Sequence, residues 1–188
     1  MDPIQRVTRY LRAVSRRAPR LGIHDVATMP MRVWLSDLDE LRHMNNGVYL
    51  STMDIPRYAL LQRCGLWPAL KKAGIYPVVV AQTMTYRKSL KLGQRYDLES
   101  RVIGYDDRAV YLEQRFVVKG EIYARGILAG RFLRRTGGVV PISELGELAG
   151  IDPTQHPIPD WVKSWADAVA LPSTRAEAPS DWDGAVPT

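Results

Sequence analysis

The sequence predicts an α+β fold in which one long central helix packs on a five-stranded antiparallel sheet. Two patterns carry the prediction. After Gly74, apolar and polar residues alternate at strand period four times over, and the later connections are short: Leu92-Gly93, Tyr105 to Arg108, and Lys119-Gly120. Before Gly74, a short strand over 30–35 (PMRVWL) leads to a stretch with apolar residues at helical spacing, Leu50, Met53, Leu60, Leu61 and Cys64. A helix of that length needs an apolar sheet face to cover.

Taken in chain order, residues 1–28 form a basic N-terminal arm, with Ile4, Val7, Leu11 and Val14 on one face of a helix over 4–17. Its first twenty residues hold six arginines against one aspartate. The plain expectation is a helix packed on the domain, and peripheral membrane contact is the alternative. The long helix is expected to begin near Asn46, since asparagine caps helices well, and to bend or restart near Pro56. A short helical piece follows at 68–73. The four strands fall at 77–87, 95–103, 109–119 and 122–134. In the last, Gly126 and Gly130 are expected to let a backbone or a bulge come close. Residues 29–150 form the main domain, 141–150 being a connector or short helix. Residues 151–188 add a helix at 159–170 and, from Leu171, a tail whose Pro, Ser, Ala and Asp content reads as disordered.

Composition bounds the function. The chain has 188 residues, net charge +6, 46% hydrophobic and 24% charged residues, which suits one soluble domain. No stretch approaches the roughly 20 apolar residues of a membrane span. A single cysteine, Cys64, forms no internal disulfide and fits a reducing, cytoplasmic setting. Tyr10 alone interleaves the arginines and no RNA- or DNA-binding motif follows, so no nucleic-acid partner is expected. His24, His43 and His156 stand too far apart for a familiar zinc spacing, and no metal is expected. There is no nucleophile-elbow serine, phosphate-loop lysine or dinucleotide fingerprint.

The segment Asp37-Leu-Asp39-Glu-Leu-Arg-His43-Met-Asn45-Asn46-Gly-Val-Tyr49 gathers carboxylates, an imidazole and amides between a strand end and a helix start. Free N–H groups at a helix N-terminus polarise a carbonyl oxygen, and a carboxylate just upstream can attack that carbonyl or activate water. Asp37 and Asp39 are both candidates for that carboxylate. His43 is a possible base or a loop tether, and Cys64 belongs to the core.

This string, with Asp54 and Arg57 after it, resembles the 4-hydroxybenzoyl-CoA thioesterase-like branch of the hot-dog superfamily. The family pattern is D-x-D-x-x-G-H-V-N-N-x-x-Y, then an acidic residue and an Ala-Arg pair. Tyr86 to Gly93 also looks like the family's lead into its second hairpin, and the likeness spans about 29–142. It is strongest toward the subgroup of thioesterase-superfamily-member-six proteins. The resemblance implies a hot-dog fold and hydrolysis of acyl-CoA thioesters, with Asp39 as catalytic carboxylate and the Asn46 N–H as oxyanion donor. It also implies a homodimer or homotetramer, and no cofactor beyond the CoA of the substrate. Arg42 stands where the family has glycine, and Ile55-Pro56 precedes Arg57 in place of the usual alanine. Arg87, Lys88 and Lys91, or Arg134 and Arg135, are candidates for the CoA phosphates. A hot-dog dehydratase would place a proline after the histidine, which His43-Met lacks. A non-catalytic acyl-CoA or acyl-lipid binder is the remaining alternative.

Overall fold

The computed structural model describes residues 19–180. The helix expected over 4–17 and the last eight residues lie outside that range. Five strands, β1 (Ala27–Arg32), β2 (Ile75–Tyr86), β3 (Arg95–Tyr105), β4 (Val110–Val118) and β5 (Glu121–Arg134), form one sheet in the order β1-β3-β4-β5-β2. Every pairing is antiparallel. Both prolines inside strands, Pro30 and Pro77, fall in the edge strands β1 and β2, where a missing N–H costs least. The β4–β5 turn is Lys119-Gly120, both at positive φ (52° and 81°), the conformation that matches the twist of a two-residue hairpin.

The helical layer comes from the chain between β1 and β2: α1 (Asn46–Thr52), α2 (Asp54–Arg63) and α3 (Leu66–Lys72). The expected restart occurs at Met53, so that Pro56 sits in the first turn of α2, where a missing N–H leaves no broken bond. Tyr49 and Met53 pack on Leu98, Phe116 and Leu128, and further along Leu60, Leu66 and Leu70 pack on Val102, Val110 and Phe132. Leu98 and Phe116 are wholly buried, and each such side chain contributes about 1.5–3 kcal/mol of transfer free energy.

Two expectations need correcting. The first strand runs from Ala27 rather than over 30–35, because β1 is an edge strand whose limits follow its pairing with β3, Ala27 opposite Ser100 through Arg32 opposite Arg95. Val33 and Trp34 lie past its end. The architecture also has a partial third layer. After α4 (Ile142–Ala149), α5 (Asp160–Ala168) crosses to the other face, where Val162 packs with Tyr111, Ile127 and Ala129.

Segments from both ends of the described chain meet at the end of β3. The His24 and His156 rings lie 3.8 Å apart, and the Tyr105 hydroxyl is 3.0 Å from His24 Nε2. Burial, then the neighbouring His156, hold the His24 imidazole below its ordinary pKa, with Asp25 opposing. Among the described residues no helix is long and apolar enough to cross a membrane.

Candidate active site

After β1 the chain folds into a small hairpin. Leu38 bridges Met44, the Asp39 N–H donates to the His43 carbonyl at 2.8 Å, and the Arg42 N–H donates to the Asp39 carbonyl at 3.0 Å. Arg42 takes φ +61°, the left-handed residue that closes a three-residue hairpin loop and the reason glycine suits this position. The exposed arginine keeps the loop's shape at a conformational cost of about 1–2 kcal/mol.

Asp39 is half-buried. Its Oδ1 accepts the N–H groups of Leu41 (2.9 Å) and His43 (3.1 Å), while Oδ2 has no partner among the described residues. One oxygen fixes the loop and the other remains available. Asp37 is buried: its Oδ2 accepts from the Trp34 N–H at 2.7 Å, and its carbonyl accepts from the Asn45 N–H at 2.8 Å. The loop holds His43 by its backbone, which also bridges Lys91. Among the described residues nothing bonds the His43 imidazole.

The helix cap is Asn45, one residue before the expected position. Its Oδ1 accepts the Gly47 N–H at 2.8 Å, and its carbonyl takes those of Val48 and Tyr49. Asn46 is therefore the first helical residue, and its N–H is the first-turn amide left without an acceptor among the described residues. That is the group an incoming carbonyl oxygen would meet. Two adjacent asparagines satisfy the capping preference equally, so the sequence does not separate them. Tyr49 is buried packing, and its hydroxyl accepts the Leu90 N–H at 3.1 Å, tying the helix to the β2–β3 connection. Sequence reasoning gave no role to Tyr86, whose ring stands edge-on to Tyr49 at 5.2 Å and whose hydroxyl lies 3.5 Å from the Asn46 carbonyl.

The five cations proposed for CoA separate into two groups. Arg87 and Lys88 lie at the Asp39 end of β2, but both are paired with Glu121, at 2.7 and 2.8 Å, which draws the Glu121 carboxyl below its ordinary pKa. Lys91 is exposed beside His43 and has no carboxylate partner among the described residues. Arg134 is paired with Glu144, and Arg135 donates its N–H to the Gly74 carbonyl. These two sit opposite Ile75, at the other end of β2, roughly 35 Å of strand away. A single CoA therefore cannot use both groups on one chain.

A cavity of about 110 Å³ lies between α2 and the sheet. Asp54 and Arg57, which form an ion pair, are the charged residues on its wall, and the rest of the lining is apolar apart from Tyr58, Tyr105 and backbone. Asp39 is not on its lining. Among the described residues no cluster of His, Cys, Asp and Glu could hold a metal ion.

A helical layer packed on an antiparallel sheet of order β1-β3-β4-β5-β2, with a carboxylate loop at the helix start, defines a hot-dog protein of the thioesterase type. The chain belongs to the thioesterase-like superfamily, whose sequence signature matches residues 33–166. THEM6 of Danio rerio is 40% identical over 100 residues, 53% of this chain and 50% of that protein, in line with the subgroup expected from the motif. The chain spans about half the length of the curated relatives it matches. Among solved structures, YbaW of Escherichia coli superposes with TM-score 0.61 at 21% identity, covering 65% of this chain and 95% of that one. The BH1999 gentisyl-coenzyme A thioesterase gives TM-score 0.58 at 20% identity, covering 64% and 98%. At such identities the likeness establishes the fold.

Proposed function

We propose that this protein hydrolyses acyl-CoA thioesters to the free acid and CoA. The observation that carries the reading is the pairing of a half-free Asp39 carboxylate with an unengaged Asn46 N–H at the start of the helix, seven residues on. The thioester carbonyl oxygen accepts from that N–H, which stabilises charge as the carbon becomes tetrahedral. Asp39 Oδ2 then either attacks the carbon, expelling the thiolate and leaving an anhydride for water to open, or takes a proton from a water that attacks directly. Both routes yield acid and thiol, and neither calls for a cofactor. Lys91, beside His43, suits a CoA phosphate at this end.

A homodimer fits the same reading. β2 is an edge strand of twelve residues with Tyr76, Val79, Val80 and Tyr86 exposed, a free row of backbone groups beside apolar side chains. A second copy pairing there would close the sheet edge and wall the site near Tyr86. A Val80→Lys variant should then run as a monomer by light scattering. Wild-type protein running as a monomer would remove the dimer.

A thiol-release assay over acyl-CoAs of increasing length tests the activity, and no turnover of any of them would refute it. One observation favours the second reading, an acyl-CoA binder without turnover: Asp39 Oδ1 is engaged in holding its loop, and the cavity lies elsewhere. Saturable binding of acyl-CoA with no thiol released would establish it.

A further inference from the structure

At one end of the sheet the fold leaves apolar side chains standing in solvent. Six large apolar residues among those described are more than half exposed. Four of the six, Trp34 (53%), Leu35 (75%), Leu41 (76%) and Leu92 (56%), fall in the loops at this end. Single apolar residues scattered over a surface are ordinary, whereas a group confined to one end marks a docking site. The loops form one unit. The Val33 N–H donates to the Gln94 carbonyl and the Gly93 N–H to the Val33 carbonyl, both at 3.0 Å, while the Met44 N–H donates to the Leu90 carbonyl at 2.9 Å. The turn that carries Leu92 is thereby stitched between the segment of Trp34 and Leu35 and the hairpin tipped by Leu41. These bonds fix the backbone beneath the tips and keep them presented to solvent.

Cations frame the tips. Arg32, Arg42, Lys91 and Arg95 are exposed, and none forms an ion pair among the described residues. Arg32 and Arg95 stand opposite one another in the β1–β3 register, two like charges side by side. The Arg32 guanidinium lies 5.8 Å over the Trp34 ring. Against these four, Glu40 is the exposed carboxylate of the loops, Asp37 being buried and Asp39 half-buried. Leu41 and Arg42 are the sharpest case. Arg42 holds φ +61° at a conformational cost that glycine would avoid, and no ion pair among the described residues offsets it. The fold gives this Leu-Arg tip no internal use, and a surface that is apolar beneath an anionic skin would use both side chains.

We propose that this end of the molecule docks on a lipid bilayer with anionic headgroups, the four apolar tips entering the interface and the four cations meeting the headgroups. Side chains so exposed stand proud of the surface. A bilayer accepts any such profile, whereas a protein partner would need a recess for each tip. Tryptophan and leucine beside arginine and lysine is a composition that binds such interfaces. Each basic residue held near an anionic leaflet strengthens binding about fivefold. The Asp39 loop and the Asn46 N–H belong to the same end, so docking sets the candidate site against the lipid surface. On the hydrolytic reading that is where amphiphilic thioesters gather, but the docking does not rest on that reading. The basic N-terminal residues are attached elsewhere: the described chain begins at Pro19, whose carbonyl accepts from Arg63 Nε in the last turn of α2. Substitutions in the loops leave that attachment unaltered.

The test is sedimentation of the full chain with phosphatidylcholine vesicles and with vesicles in which about 30% of that lipid is replaced by phosphatidylserine. Wild type should bind the anionic vesicles about tenfold or more tighter than the neutral ones, and salt at about 1 M should abolish the preference. Leu35→Ser combined with Leu41→Ser should weaken binding about tenfold or more. Trp34→Ser combined with Leu92→Ser should do the same, and serves if circular dichroism shows the first pair unfolded. Arg42→Gly should weaken binding to anionic vesicles about fivefold and leave neutral vesicles unaffected. Wild type that sediments with neither vesicle, or equally with both, overturns the proposal. So does unchanged binding in both paired variants, which would assign the membrane contact to the N-terminal arm. Conversion of a dimer to a monomer by Leu35→Ser with Leu41→Ser, read by light scattering, would make this end a contact between copies and overturns it too. Sedimentation needs no substrate, so its outcome and that of thiol release are read independently.

Discussion

Replacing Asp39 with asparagine separates the two tasks this side chain performs. The amide keeps an oxygen that can accept the Leu41 and His43 N–H groups, so the loop retains its two tethers. It loses the negative charge, and hydrogen bonds to a charged acceptor are about twice as strong as neutral ones worth about 1 kcal/mol each. With Asp39 half in solvent, the expected loss of stability is about 1 kcal/mol, or roughly 2–4 °C in Tm for a chain of this size. A domain stable by about 5–15 kcal/mol remains folded after that loss. Turnover should nevertheless fall by a factor of about 10² or more, the loss of a positioned base or nucleophile, equivalent to about 2.7 kcal/mol of barrier. Asp39→Ala should show the same rate loss with a larger fall in Tm, since both tethers go. The assay is thiol release from acyl-CoA at saturating substrate, with Tm measured on the same samples. Asp39→Asn that is folded and turns over within about twofold of wild type would refute the catalytic assignment and leave Asp39 as a loop cap.

Other expectations follow from the packing. Gly104→Ala should cost roughly 3 kcal/mol, because φ +150° disfavours any side chain and the new Cβ would stand 2.8 Å from the His156 carbonyl and 2.9 Å from Ile158; a Tm within about 2 °C of wild type would contradict it. Gln114 is fully buried and its Nε2 donates to the Met53 carbonyl (3.1 Å) and Ser100 Oγ (2.8 Å), so Gln114→Leu should lose about 1–3 kcal/mol by urea unfolding and loosen the helix at its restart. His24 is held below its ordinary value of 6.5, so the native state binds fewer protons than the unfolded chain in that range. Its contribution is complete above roughly pH 6.5 and declines as pH falls toward the folded value. Wild-type Tm should therefore drop more than that of His24→Gln between roughly pH 7.5 and 5.5, and parallel curves would refute this.

The linear pattern of residues determined the class of fold. Period-two alternation from Ile75 to Arg134 forces strands, and short turns such as Lys119-Gly120 force antiparallel neighbours, whatever packs on them. The Asp37–Tyr49 segment was equally legible, because carboxylate, loop and helix start are contiguous and their mutual geometry is local. Where two local solutions were equally good, the sequence stopped short. Asn45 and Asn46 can both cap a helix, and the bond from Asn45 N–H to the Asp37 carbonyl decides in favour of Asn45. The start of β1 depended on a partner strand more than sixty residues away. Tertiary structure alone decided that Arg87 and Arg134 stand at opposite ends of the sheet, and that α5 crosses to the far face. It alone decided that the space above Gly126 is filled by the Met53 side chain and that Gly130 lies opposite a bulge in β2. The physical reason is that periodicity and capping are short-range and written in neighbouring residues. Empty volume and the separation of charges arise only where distant segments meet.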